Sequence, residues 1–147
     1  MLSGLLVRAL REDDLDRAAS LTAQLGYAAS VEQLRARLAC ILGRPEHALF
    51  AADRAGSVAG WLHAQAQHRF ESDPFVEITG LVVADDTRRS GVGRVLVGAV
   101  ETWARALGYT HLQVRSDIRR PESHAFYRAL GFSLKKTQHN YALNLCE

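Results

Sequence analysis

Six residues in the second half of the chain carry the strongest signal: Arg88-Arg89-Ser90-Gly91-Val92-Gly93. Before them, residues 76–84 form an apolar, strand-like run, and after them the apolar residues repeat at helical spacing. The two glycines therefore lie at a predicted strand-to-helix junction. The amide N–H groups of a first helical turn have no partner within the helix, and the helix dipole adds partial positive charge there. With the flanking arginines, including Arg94, this junction predicts a cradle for a pyrophosphate.

Three phosphate-binding motifs compete for this loop. A Walker-type loop ends in Gly-Lys-Ser/Thr, and the chain contains no Gly-Lys pair. The dinucleotide fingerprint Gly-x-Gly-x-x-Gly fails because Leu96 stands at its last position, and that fingerprint belongs after the first strand of a βαβ unit. The third motif is Arg/Gln-x-x-Gly-x-Gly/Ala, which Arg88, Gly91 and Gly93 match in full. In this motif the sequence resembles the GNAT superfamily of acyl-CoA-dependent N-acyltransferases.

A second signature strengthens the resemblance. The stretch Ser123–Phe132 resembles the family's short helix that carries a tyrosine, here Tyr127, and ends in Gly131 and Phe132. A glycine directly after the last helical residue suits the left-handed cap of a helix. The two signatures occur in the family's order, and the helix and strand predicted between them fit the separation. The resemblance covers about residues 5–145, so a single GNAT-like domain over 1–147 is expected.

The pattern of the whole chain predicts an α/β (α+β) fold. Apolar runs and turn residues predict about seven strands, at 5–10, 48–53, 58–67, 75–84, 110–115, 132–136 and 141–145. Helices are predicted after Asp13 or Asp14, after Ser30 with a capping box to Gln33, after the phosphate loop, and over 121–130. The order β-α-α-β-β-β-α-β-α-β-β is that of the GNAT fold, and it predicts a mixed, mostly antiparallel sheet with helices on both faces.

Composition excludes several other classes. The net charge of +2 does not indicate a nucleic-acid partner. Neither a signal peptide nor a membrane-length apolar run is recognisable, so no membrane partner and a cytoplasmic location are expected. Cys40 and Cys146 do not form a disulfide scaffold, and no metal site is expected. The histidines are scattered, and His63, His111 and His124 are interpreted as ordinary side chains rather than ligands.

Charge is distributed unevenly between the two halves. Residues 1–74 carry 8 basic and 9 acidic side chains, a sum of −1, whereas residues 75–147 carry 10 basic and 7 acidic, a sum of +3. The positive half contains the phosphate loop. This asymmetry suits a polyanionic cofactor on one side and a cationic substrate on the other, although a solvated charged surface would look the same.

The resemblance implies a cofactor and its contacts. Acetyl-CoA would be the co-substrate, and the strand before the loop would splay from its neighbour so that its backbone binds the pantetheine arm and the thioester oxygen. Arg120 and Ser123 would contact the cofactor from the second signature, although the family commonly has Asn at the position of Arg120. The implied cofactor-binding residues are Leu81, Val82, Val83, Arg88, Arg89, Ser90, Gly91, Val92, Gly93, Arg94, Arg120 and Ser123.

Two residues are the candidate catalytic groups. Tyr127 matches the family tyrosine that protonates the departing CoA thiolate, and a phenol with a pKa near 10 is protonated at neutral pH. Glu77 is the acid on the strand before the loop, where it would remove the amine proton directly or through water, unless it is an ordinary surface glutamate. Many family members have the acid two residues later, where this chain has Thr79. Tyr27 and Asp117 are expected at the acceptor end, although Tyr27 could equally be a surface aromatic, and capping of the 121–130 helix or pairing with Arg119 would also explain Asp117.

The resulting prediction is an enzyme that moves an acetyl group from acetyl-CoA to a primary amine by direct attack. The acceptor is expected to be a small cationic molecule such as a polyamine, an aminoglycoside or an amino-acid derivative. Two alternatives stay open: a non-catalytic acyl-CoA-binding or sensor domain, and an acetyltransferase of protein N-termini or lysines. The family is often dimeric, so a homodimer is also open.

Overall fold

The computed structural model describes residues 4–84, 91–116 and 121–146. Contacts divide the chain into two units, Met1–Arg115 and Ser116–Glu147. The first unit contains one mixed sheet and its helices. None of the described helices is long and apolar enough to cross a membrane.

The sheet of the first unit has five strands in the order β1-β2-β3-β4-β5. The first four pair antiparallel, and β4 pairs with β5 in parallel. The strands are β1 (Leu5–Ala9), β2 (His47–Arg54), β3 (Ser57–Arg69), β4 (Ser72–Val83) and β5 (Leu112–Val114). The expected mixed and mostly antiparallel sheet is therefore present.

Local sequence signals explain the turns and helix starts. At the β2–β3 turn, Ala55 and Gly56 take φ values of 51° and 90°, and the Gly56 N–H donates to Asp53 Oδ1 at 2.8 Å. At the start of the second helix, the Ser30 hydroxyl accepts from the Gln33 N–H at 3.1 Å, and the Ser30 N–H donates to Gln33 Oε1 at 2.9 Å. The predicted capping box is therefore confirmed.

Three helices of the first unit cover both faces of the sheet. They are α1 (Leu15–Ala23), α2 (Val31–Ile41) and α3 (Val92–Ala106), and a 3-10 turn at Glu12–Asp14 precedes α1. Successive strand residues point to opposite faces. A Cβ built on Gly60 would meet α3 side chains, whereas the next residue, Trp61, packs against the core cluster that contains Leu15, Leu21 and Leu38 of α1 and α2.

An ion-pair network fixes the entry to α1. The Arg8 guanidinium donates to both carboxylate oxygens of Asp14, at 2.8 and 2.9 Å, and to Asp53 at 3.1 Å. The Arg11 N–H adds a hydrogen bond of 2.8 Å to Asp14. Asp14 is buried, and its hydrogen bond with Arg8 holds the pKa of the Asp14 carboxyl below its usual value. This network joins β1, β2 and the 3-10 turn.

The second unit contains α4 (Pro121–Ala129). Gly131 follows it at φ 97°, and the Phe132 N–H donates to the Tyr127 carbonyl at 3.0 Å, so the predicted glycine cap is present. The prediction of two final strands is wrong for this structure, because residues 132–146 form no strand. The sheet therefore has five described strands rather than about seven. Alternating apolar residues indicate a strand, but a strand forms only where hydrogen-bond partners exist, and Tyr141, Leu143 and Leu145 are exposed here.

Candidate active site

The pairing of β4 changes halfway along the strand. On one side β4 pairs with β3 as far as Val83. On the other side its pairing with β5 covers only residues 76–78 opposite 112–114. The Ala84 N–H donates to Ala59 of the β3 side at 2.8 Å, so by strand alternation the amides of Leu81 and Val83 face the other edge. Within the described residues, β4 therefore presents a free backbone edge where the resemblance expects the pantetheine arm.

The N-terminus of α3 has a backbone that an anion could approach closely. Gly91 is its N-cap at φ 89°, a left-handed conformation that favours glycine. Val92 and Gly93 are buried, and Arg94 is exposed. The first-turn amides lack intrahelical partners and can donate to an anion. Arg88, Arg89 and Ser90, which belong to the same predicted cradle, lie outside the described residues.

The paired edge of β4 and the first turn of α3 lie close together at Gly60 of β3. A Cβ on Gly60 would stand 2.7 Å from the Val82 carbonyl oxygen and 3.3 Å from Val92 Cγ1. Two of the predicted cofactor-binding residues therefore contact the same point of β3. Since Gly60 carries no side chain, α3 can pack directly against the backbone here.

Glu77 is in the interior of β4 rather than at the surface. It is 9% exposed, faces Gln65 of β3 in the strand register, and lies 3.5 Å from the Arg115 guanidinium. The surface interpretation of this residue is therefore wrong. A buried carboxylate of this kind can pair with a positively charged group. This arrangement fits binding of a cationic group at least as well as proton removal.

Sequence reasoning missed a polar chain on the same face of the sheet. Thr79 Oγ1 lies 2.9 Å from His63 Nδ1, and His63 Nε2 lies 3.0 Å from His47 Nδ1. Thr79 is the extra residue of a bulge, because Ala64 pairs with Ile78 whereas His63 pairs with Gly80. Burial lowers the pKa of His63, and the neighbouring His47 lowers it further. His63 therefore belongs to a hydrogen-bonded chain that the sequence did not indicate.

In the second unit, Tyr127 is packed between two phenylalanine rings. Its ring centroid is 5.1 Å from that of Phe126 and 5.6 Å from that of Phe132, both edge to face. Burial raises the pKa of Tyr127, so its hydroxyl stays protonated at neutral pH. This is the state that a proton donor needs. Ser123 lies on the same helix and is half-buried.

The predicted acceptor residues are only partly visible. Tyr27 lies between α1 and α2 and is 68% exposed, as an accessible binding side chain would be. Asp117, and with it the proposed cofactor contact Arg120, lie outside the described residues. Among the residues that the structure does describe, no three His, Cys, Asp or Glu side chains come together as a metal site.

Comparison with known proteins defines the class. The family model of the Acetyltransferase (GNAT) family matches residues 9–132, so the chain belongs to this family. It is similar to the aminoglycoside N(6')-acetyltransferase type 1 of Serratia marcescens, with 29% identity over 82% of this chain and 86% of that protein. The enzyme of the same name from Stenotrophomonas maltophilia is 32% identical, with 80% of each chain covered.

A solved structure shows the same fold. The aminoglycoside acetyltransferase AAC(6')-Iy, in complex with the bisubstrate analogue CoA-S-monomethyl-acetylneamine, superposes with a TM-score of 0.86 at 24% identity, covering 97% of this chain and 99% of that one. Together with the family match and the curated relatives, this makes the protein an acetyl-CoA-dependent N-acetyltransferase. Acetyl-CoA is its co-substrate.

Proposed function

We propose that the protein transfers the acetyl group of acetyl-CoA to the 6' amine of an aminoglycoside. The observation that carries the proposal is the free edge of β4, a strand that meets the first turn of α3 at Gly60 of β3, in a chain whose two relatives above are both named aminoglycoside N(6')-acetyltransferases. Those relatives match four-fifths or more of their own length, so the likeness extends over nearly the whole enzyme. A single GNAT domain over 1–147 is part of this proposal.

Charge along β4 supports a cationic acceptor. Asp73 and Glu71 are exposed at the start of the strand and in the turn before it, and Glu77 follows in its buried part. Aminoglycosides carry several ammonium groups, and carboxylates attract them at long range and pair with them at short range. We assign Glu77 to hold the ammonium group of the acceptor and to assist its deprotonation directly or through water. Tyr27 and Asp117 are assigned to the acceptor side.

The reaction needs a neutral amine, a polarised thioester carbonyl and a proton for the thiolate. The amine nitrogen attacks the carbonyl carbon, the new N–C bond forms, and the C–S bond breaks. Backbone amides at Leu81 to Val83 are proposed to polarise the thioester oxygen, as oxyanion-binding donors do. Tyr127 is proposed to give its phenolic proton to the departing sulfur.

A thiol-release assay tests the proposal. The protein is incubated with acetyl-CoA and a panel of an aminoglycoside, a polyamine, a free amino acid and a lysine-containing peptide. We expect acetyl-CoA turnover with the aminoglycoside at a kcat/KM at least about tenfold above that for the other amines. Preference for the peptide would indicate a protein acetyltransferase. Acetyl-CoA binding with no turnover on any amine would indicate a sensor domain.

A further inference from the structure

The two histidines and the threonine of the polar chain are joined end to end. Thr79 Oγ1 lies 2.9 Å from His63 Nδ1 and 3.2 Å from the His63 carbonyl oxygen, to which it can donate. The opposite ring nitrogen of His63 lies 3.0 Å from His47 Nδ1. Both nitrogens of His63 are therefore engaged. Either direction of donation along the chain is geometrically possible, because each imidazole can exist in two tautomers.

One end of this chain opens where the acceptor is expected. Thr79 directly follows Ile78, the last β4 residue paired with β5, and the Thr79 side chain is exposed. The bulge gives β4 an extra residue at this point and lets the Thr79 hydroxyl reach the His63 ring. Thr79 also occupies the position where many members of the family have an acid.

The other end of the chain lies at a hollow. His47 lines this hollow at the end of α2, together with Leu10, Leu38, Leu42 and Arg44. A proton that reached His47 could leave to water there. The chain therefore connects the free edge of β4 with a separate exit, across β3 and β2.

The electrostatic surroundings favour transfer over storage of a proton. His63 shares its face of the sheet with His47 of β2 and with Glu77 of β4, whose carboxylate is paired with Arg115. Arg44 borders the hollow beside His47. Burial lowers the pKa of His63, and so does the neighbouring His47, so the ring is neutral at pH 7 and one of its two hydrogen-bonded nitrogens can accept a proton.

We propose that Thr79, His63 and His47 form a proton relay that deprotonates the ammonium group of the acceptor. The relay rests on the proposed function above. The N–H bond of the ammonium breaks and its proton goes to Thr79 Oγ1, whose own proton moves to His63 Nδ1. The Nε2 proton of His63 passes to His47 Nδ1, and His47 releases its Nε2 proton to water. One proton leaves in this way, and the second amine proton balances the one taken up by the CoA sulfur.

In this scheme Glu77 and the relay have different tasks. Glu77, which is paired with Arg115, holds the cationic acceptor, and the relay replaces the direct or water-mediated proton removal assigned to Glu77 above. His63 acts through Thr79 and is a positioning and proton-accepting group rather than one that touches substrate. Removal of either Thr79 or His63 should therefore slow deprotonation without removing the carboxylate that binds the amine.

The test compares pH profiles of kcat/KM with the best acceptor of the amine panel. We expect His63→Gln and Thr79→Val to lower kcat/KM by about 10²-fold at pH 7, the lower end for general base catalysis. Thr79→Ser keeps the hydroxyl and should retain most of the activity. His68→Gln is the matched control, since it changes an exposed histidine of the same strand, which lies 3.3 Å from the Tyr109 hydroxyl.

A second variant separates a relay from a structural role. In His47→Gln the last acceptor of the relay is absent, so kcat/KM should fall. The neighbour that lowers the pKa of His63 is absent as well, so the acid limb of the kcat/KM profile should move to higher pH. An unchanged acid limb in that variant, or wild-type kcat/KM in His63→Gln, would overturn the relay while leaving acetyl transfer intact. If kcat/KM of His63→Gln and Thr79→Val fell by the same factor at every pH, together with a lowered melting temperature, the relay would also be overturned. Absence of turnover by the wild-type protein on every amine would instead refute the proposed function.

Discussion

Replacement of Gly60 by alanine places a methyl group on β3 at a point that faces both β4 and helix α3. The new Cβ would lie 2.7 Å from the Val82 carbonyl oxygen, 3.3 Å from Val92 Cγ1 and 3.4 Å from Leu96 Cδ1. The first contact is with backbone, which cannot rotate away as the end of a side chain can. Either β4 or the first turn of α3 must move. Both belong to the proposed acetyl-CoA site.

The expected change in the free energy of unfolding of Gly60→Ala is the sum of two opposing effects. Overpacking of a core position costs about 1–3 kcal/mol of unfolding free energy. Alanine in place of glycine recovers about 0.4–1 kcal/mol, because it restricts the unfolded chain. The net loss is about 1–2 kcal/mol, or roughly 2–8 °C in melting temperature for a chain of this size. If acetyl-CoA binding requires the original spacing, the same strain returns on binding and weakens the affinity about fivefold to thirtyfold.

Gly98→Ala is the matched control, because it adds the same methyl group in α3 with no atom within 4 Å. It should stabilise the protein by about 0.5–1 kcal/mol, since glycine is unfavourable inside a helix. Acetyl-CoA affinity should stay at the wild-type value. Thermal unfolding and isothermal titration calorimetry measure both quantities. A Gly60→Ala protein that melts at or above the wild-type temperature and binds acetyl-CoA normally would refute the reasoning.

Three further predictions concern other parts of the protein. Gly91→Val should stay folded but lose acetyl-CoA binding by calorimetry, whereas Gly108→Val, at the same φ of 89°, should be strained yet bind normally. Asp14→Asn should lose about 2–3 kcal/mol of stability in urea at pH 7, because Arg8 loses a buried partner. Arg8 keeps the pKa of folded Asp14 low, so the extra stability of the wild-type protein is present above about pH 4 and disappears as the pH falls through that lowered pKa. Equal stabilities of the two proteins at pH 7 would contradict this prediction. Tyr127→Phe should lower kcat by about 10²-fold with unchanged acetyl-CoA affinity; a wild-type kcat would mean that water supplies the proton.

Short-range sequence signals were sufficient to predict much of the fold. The Ser30–Gln33 capping box and the turn at Gly56 depend on residues three or four positions apart, and both are present as expected. The apolar stripe of α3 likewise buries Leu96 and Val100. Short-range patterns of this kind constrain the backbone before any tertiary contact forms.

Features that depend on distant residues were not predictable. Thr79 and His63 are 16 positions apart and meet because of strand register and a bulge, neither of which a single sequence encodes readably. The expected strand at 141–145 has the right alternation, but the residues that the structure describes form no partner strand for it. Burial of Glu77 also depends on the neighbouring strand, so its sequence context left the surface alternative open.

The central claim is acetylation of an aminoglycoside at its 6' amine, and the position of the product's acetyl group tests it most directly. Two aminoglycosides that differ only in an amine or a hydroxyl at 6' are incubated with the wild-type protein and acetyl-CoA, and the products are analysed by NMR. We expect one acetyl group on the 6' nitrogen of the first compound and no acetylation of the second. Acetylation of both compounds at another nitrogen, or of neither, would contradict the account.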